Sequence, residues 1–175
     1  GMESKRIRMG TCGWSDSTLL KCGRFYPASV KTSEDRLRHY ARFFSCVEVD
    51  SSTYAIPAVQ NVKRWCEQVP PGFLFHFKAF GLLASQSMPT ASLPRVVKDM
   101  DAVRLSTKTR MSSKDLPSEA VDAVWKRFNE CCNEALAAEK MGLVVFQYQL
   151  GFKPSDQNRE VILEARCLVC LEVVT

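Results

Sequence analysis

The stretch RLRHYARFFSCVEVDSSTYAIP, residues 36–57, carries two periodicities in succession. Leu37, Tyr40, Ala41 and Phe44 recur at i, i+3, i+4 and i+7, which puts apolar groups along one face of a helix. Thr32, with Asp35 three residues on, supplies the capping pattern that opens this helix at Thr32 and Ser33. The pattern then changes to alternation, with Val47 and Val49 flanking Glu48 and ahead of Asp50, the period of a strand. Pro57 follows, ahead of Val59, Val62 and Trp65 at helical spacing, and Pro70, Pro71 and Gly72 stop that second helix. Helix, strand, helix in so short a span points to an α/β fold.

The same alternation runs outward in both directions. Strands are expected over residues 7–14, 46–54, 73–80 and 143–149, each followed by a turn and a helical pattern, the mark of βαβ units and a parallel sheet. A third helix opens near Pro117 with Val121, Val124, Trp125, Phe128 and Leu136 on one face, and Gly142 reads as its stop. A fourth opens near Ser155 with Val161, Ile162, Ala165 and Leu168. Residues 81–116 hold Pro89, Pro94 and many Ser and Thr, and read as an insertion or long loop after the third strand. The last residues, LVCLEVVT (168–175), read as the start of a fifth strand. Residues 2–175 thus form a single domain with about four to five βα units, against eight in a closed barrel of about 250 residues. Gly1 ahead of Met2 reads as a tag remnant.

Composition excludes several classes. Hydrophobic residues make up 46% and charged ones 25%, the balance of a globular domain. The formal charge is +5, with basic and acidic residues interspersed, so a clustered nucleic-acid footprint is not favoured. No run approaches the roughly 20 apolar residues of a membrane helix. The opening ESKRIRMG has no apolar stretch behind it, so no signal peptide is read and a cytoplasmic location is expected. The eight cysteines are scattered rather than framing loops and read as reduced thiols. Cys167-x-x-Cys170 lacks the second pair a structural zinc site needs, and no metal is expected. No GxGxxG, P-loop or GxSxG is present.

Several blocks in order carry a resemblance: GTCGWSD (10–16), GRFYP (23–27), residues 36–57, FLFHFKAF (73–80), LPSEAVDAVWKRF (116–128) and GLVVFQYQLGFKPSDQNRE (142–160). Together they resemble the YecE-like family, number seventy-two among the domains of unknown function. The resemblance implies a TIM-type (β/α) barrel, here partial and shortened at its C-terminus, and a family with no established reaction. Two departures stand out against the family pattern. Residues 85–88 read Ser-Gln-Ser-Met where a His is common, and residues 146–150 read FQYQL in place of FQFPP.

Strand alternation nominates the site. With Val47 and Val49, and Phe75 and Phe77, toward the helices, Glu48, Asp50, His76 and Lys78 face a barrel interior. Gln147 and Gln149, or else Phe146 and Tyr148, join them, and the polar neighbours favour the glutamines. Charges there must pair, meet water or hold a ligand. Glu48, Asp50 and Lys78 are the candidate catalytic residues. Trp14, Ser15, Asp16, Thr53, Tyr54, His76 and Gln147 are the candidate substrate-binding residues around the C-terminal mouth, where such barrels place their sites. A buried Glu48–Lys78 pair that only fixes register remains the alternative. His76 alone reads as a core histidine with its hydrogen bonds met, and Cys12 as a small core residue. The functional expectation is an enzyme of unknown reaction acting on a small anionic or hydroxylated ligand, its cofactor unknown; the alternative is a non-catalytic binding module for nucleic acid. Open barrel edges also predict self-association.

Overall fold

The computed structural model describes residues 7–169. Thr32 accepts from the Asp35 amide at 3.0 Å while the Asp35 carboxylate accepts from the Thr32 amide at 3.3 Å, so the expected capping box opens a helix at Ser33. It is the second helix, α2 (Ser33–Tyr40), after a short α1 (Ser17–Lys21). Leu37 and Tyr40 are fully buried, and Ala41 and Phe44 extend the same apolar side beyond the helix end. Strand β1 (Cys46–Val49) follows, then α3 (Val59–Gln68), which starts after Pro57 and ends before Pro70. Strand β2 (Leu74–Lys78) pairs with β1 in parallel, with Glu48 opposite His76. Helix α6 (Ser118–Ala137) leads to β5 (Met141–Val145), which pairs with β2 in parallel, and α7 (Asp156–Leu168) opens on a Ser155 cap. The sheet order is β1-β2-β5.

Side-chain alternation sorts the two faces as the sequence implied. Val47, Val49, Phe75 and Phe77 are buried and share one core with Val62 and Cys66 of α3 and Val124, Phe128 and Cys131 of α6. Aromatic groups of this size dominate the energetics of such a core. Glu48, His76 and Lys78 lie on the other, partly open face.

The region of residues 81–116 carries its own packing. It contains β3 (Met88–Pro89) and β4 (Arg110–Met111), paired antiparallel, and the short helices α4 (Arg95–Lys98) and α5 (Asp101–Arg104). Leu82, Leu83, Met88, Leu93, Val97, Val103 and Met111 from this region are buried in the common core.

Three expectations are corrected. Residues 7–14 form no strand: Ile7 and Met9 are exposed, and a single backbone bond, Glu48 N–H to Thr11 O at 3.0 Å, joins the segment to β1. It is held mostly by side chains, since the Tyr40 hydroxyl accepts from the Thr11 amide at 2.7 Å and Arg8 donates to Gly72 O at 2.6 Å. One ladder bond does not make a strand. Gly142 does not stop α6, because the helix closes three residues earlier on Glu139 in the left-handed region at φ 57°. Lys140 N–H then reaches Ala135 O at 2.8 Å and Glu139 N–H reaches Leu136 O at 2.9 Å, the paired bonds of a Schellman close. The last strand runs over Met141–Val145, ahead of the expected 143–149, because Phe146 leaves the ladder to pack on the core beside Trp125.

Cys12, Cys22, Cys46, Cys66, Cys131 and Cys132 are free thiols; Cys170, the partner of Cys167 in the C-x-x-C spacing, and residues 170–175 of the expected fifth strand lie outside the described residues. Among the described residues no helix is long and apolar enough to cross a membrane.

Candidate functional site

The open face gathers its charges at the C-terminal ends of β1 and β2. Lys78 Nζ lies 2.5 Å from Asp50 Oδ1 and 3.6 Å from Glu48 Oε1. Asp50 is therefore the tight partner and Glu48 the looser one. The side chains keep 14% exposure for Lys78, 25% for Glu48 and 36% for Asp50, so water reaches all of them. Burial works to lower the Lys78 pKa, but the hydrogen bond it donates to Asp50 and the charges of both acids outweigh it and raise it. The ammonium is thereby kept charged and unsuited to Schiff-base formation.

Backbone chemistry just beyond β1 sets this geometry. A 3-10 turn over Asp50–Thr53 brings Ser52 beneath the strand ends. Ser52 Oγ is fully buried, 2.6 Å from Val49 O and 2.5 Å from Lys78 O, tying the end of β1 to the end of β2. Thr53 Oγ1 donates to Ala79 O at 3.2 Å and repeats the tie one residue on. Replacing Ser52 by alanine removes the one hydroxyl donor that these two carbonyls share, and a loss of about 1–3 kcal/mol is expected in urea unfolding. Spectra reporting on Lys78 should shift in the same variant, since the tie places Asp50 beside it.

Cys12 belongs to the group, contrary to its reading as a core residue. It is exposed; burial first and the neighbouring Glu48 carboxylate second raise its pKa, so it rests as a neutral thiol. Its position in a coil that only tertiary contacts place beside β1 left no signal in the sequence. His76 stands next to Glu48, and its Nδ1 accepts from the Leu143 amide at 2.9 Å.

The other nominated residues fall elsewhere. Trp14 is buried among Trp65 and Phe75, with its indole N–H toward Ser33, so it is a core residue and not part of a mouth. Asp16 caps α1, accepting from the Thr18 amide at 2.8 Å, while Ser15 beside it is exposed. Thr53 is buried in the strand-end tie, and Tyr54 is exposed. Gln147 is exposed, and its carbonyl accepts from Gln86 at 2.8 Å. Among the described residues no group of three His, Cys, Asp or Glu side chains is arranged to hold a metal. A groove of about 850 Å³ lies apart from the charged group, between residues 82–87, the start of α6 and α7, with Trp125, Gln149, Phe152 and Val161 in its walls.

Among the described residues, a three-stranded parallel sheet with helices packed on one face makes this an α/β protein. The chain matches the family described as "Protein of unknown function DUF72" over residues 8–172, and it belongs to that family. It is similar to UPF0759 protein YunF of Bacillus subtilis (strain 168), 24% identical over 152 residues that cover 87% of this chain and 43% of that one. Over a shorter stretch of 62 residues it is 37% identical to UPF0759 protein YecE of Escherichia coli (strain K12), covering 35% of this chain and 23% of that one. Its fold is like the crystal structure of a DUF72 family protein from Enterococcus faecalis V583, at TM-score 0.64 and 18% identity, covering 93% of this chain and 47% of that one. The chain thus spans less than half the length of these relatives.

Proposed function

We propose that the open face is the inner wall of a partial (β/α) barrel and binds a small hydroxylated molecule, on which Lys78, Asp50 and Glu48 act as an enzyme's charged group. The observation that supports this is the Lys78 ammonium set between two carboxylates on a face water can reach. A pair this exposed contributes little to stability, so a purely structural role explains it poorly. Two acidic side chains stand against one ammonium here. Lys78 is already neutralised, so a free anion gains little there. A neutral polyol fits better: its hydroxyls donate to the acids and accept from Lys78. Accepting a proton from a hydroxyl of the bound polyol, with a carboxylate as general base, is the chemistry such a group offers.

The test is a binding screen at pH 8 on the full chain, read by amide shifts around Lys78, with monosaccharides, linear polyols, sugar phosphates and inorganic phosphate as probes. Polyols are expected to perturb residues 48–50 and 76–78, and Asp50→Asn to weaken them about tenfold or more. If none of these probes touches that face while a single-stranded RNA binds with steep salt dependence, the chain is a nucleic-acid-binding module and the proposal fails.

A further inference from the structure

Strand β5 does not pair evenly with β2. Phe75 pairs with Met141, but Phe77 pairs with Val144, so β5 carries one extra residue opposite His76. The ladder is intact on either side: Phe75 N–H reaches Lys140 O at 2.8 Å and Ala79 N–H reaches Val145 O at 2.9 Å. Within the bulge the Leu143 amide has lost its ladder acceptor, on the exposed side of the sheet. The His76 imidazole takes that place, with Nδ1 accepting from Leu143 N–H at 2.9 Å. The ring sits so close to the strand that a Cβ on Gly142 would fall 2.3 Å from Nδ1 and 2.5 Å from Cε1. Glycine at 142 is thus what lets a side chain stand in for a backbone carbonyl.

This bond fixes the tautomer. An acceptor at Nδ1 puts the proton of a neutral imidazole on Nε2. An imidazolium has N–H at both nitrogens and accepts at neither, so it cannot hold Leu143. The bond and protonation exclude each other.

We infer that His76 is a proton-operated latch: neutral, it fastens the β5 bulge to the sheet and offers Nε2–H to the open face, and protonated, it releases β5 at Leu143 beside Lys78. The second half rests on the reading of the Lys78 group as a ligand site; the first half stands without it. Glu48 faces the ring from β1 and favours the charged form, while Arg8 on the amino-terminal segment opposes it. Lys78, two residues along β2, is engaged by Asp50 and Glu48. Burial is the largest influence, Arg8 adds to it, and the His76 pKa is lowered from its ordinary value of 6.5. A histidine with a lowered folded pKa gives stability that is fully present above the unfolded value. That stability falls away as the pH drops below about 6.5 toward the folded value, and the latch opens through the folded value itself.

Amide exchange and nitrogen-15 spectra of the full chain, recorded from pH 8 to pH 5, test this. The Leu143 amide and the His76 ring carbons are expected to titrate with one midpoint below 6.5, and Leu143 protection to fall about tenfold or more through it. His76→Asn, whose side-chain oxygen can replace Nδ1 as acceptor, is expected to keep Leu143 protected with no midpoint. Leu143 protection that stays flat through the His76 titration overturns the inference, as does a His76 midpoint at or above 6.5. The wild-type titration decides even where His76→Asn fails to fold. Neither result touches the polyol screen, which is run at a single pH where His76 is neutral.

Discussion

Replacing Gly142 by alanine is expected to destabilise the protein by about 2–3 kcal/mol, the range for forcing a methyl group into a filled site. The added Cβ meets the His76 ring at 2.3 Å and Phe75 O at 3.1 Å, and neither can retreat freely. Phe75 is a fully buried core residue in the middle of the sheet, and the ring is tied to Leu143. The ring must therefore swing off its acceptor position, which adds the loss of the Leu143 bond to the clash. Urea unfolding of Gly142→Ala reads the loss. A double variant, Gly142→Ala with His76→Ala, removes the ring the methyl collides with. Its loss should be smaller than the sum of the single losses by about 1 kcal/mol or more, the signature of residues in direct contact. Additive losses would show that the ring does not pack on Gly142.

That contact also marks where reading the sequence stopped. The alternation of Val47 and Val49 with Glu48, and of Phe75 and Phe77 with His76 and Lys78, was legible because one face of each strand meets helices and the other does not. The Thr32 cap was legible because it is a local pairing of side chain and backbone. The frame of β5 was not, since it depends on an acceptor supplied by a histidine 67 residues away. The path of residues 7–14 was misread for a related reason. Its alternation looks like a strand, yet Gly10 passes so near Cys46 O that a Cβ would lie 2.3 Å from it, and side chains replace the ladder. Trp14 followed that error into the mouth, while Cys12 was read as a core residue although it is exposed. Order in residues 81–116 rests on long-range ties such as Thr90 N–H to Thr109 O and on Asp115, which Lys108 and Ser112 hold well below the usual carboxylate range. The Thr90–Thr109 tie has no local period to betray it, whereas Ser112 and Asp115 repeat the local capping box of Thr32 and Asp35.

Replacing Lys78 by methionine separates the two roles open to the charged group. Methionine keeps most of the apolar stem and removes the ammonium, leaving Glu48 and Asp50 facing each other without a cation. In a dry interior an orphaned charge of this kind costs on the order of 3–5 kcal/mol. Here the acids are 25% and 36% exposed, and water takes over much of the work of Lys78. A stability loss of about 1 kcal/mol or less is therefore expected, close to that of an exposed pair. Ligand binding should respond far more strongly. A charge-assisted hydrogen bond from an ammonium to a hydroxyl contributes about 1.5–3 kcal/mol, so a polyol bound by the wild type should weaken roughly ten- to a hundredfold. Since Asp50 and Glu48 raise the Lys78 pKa, wild-type binding should show no loss of this donor anywhere near neutral pH. Thermal unfolding and a polyol titration on the same sample read both quantities. Should Lys78→Met lose several kcal/mol while the folded fraction binds as before, Lys78 fixes the register of β1 and β2 and the ligand reading falls.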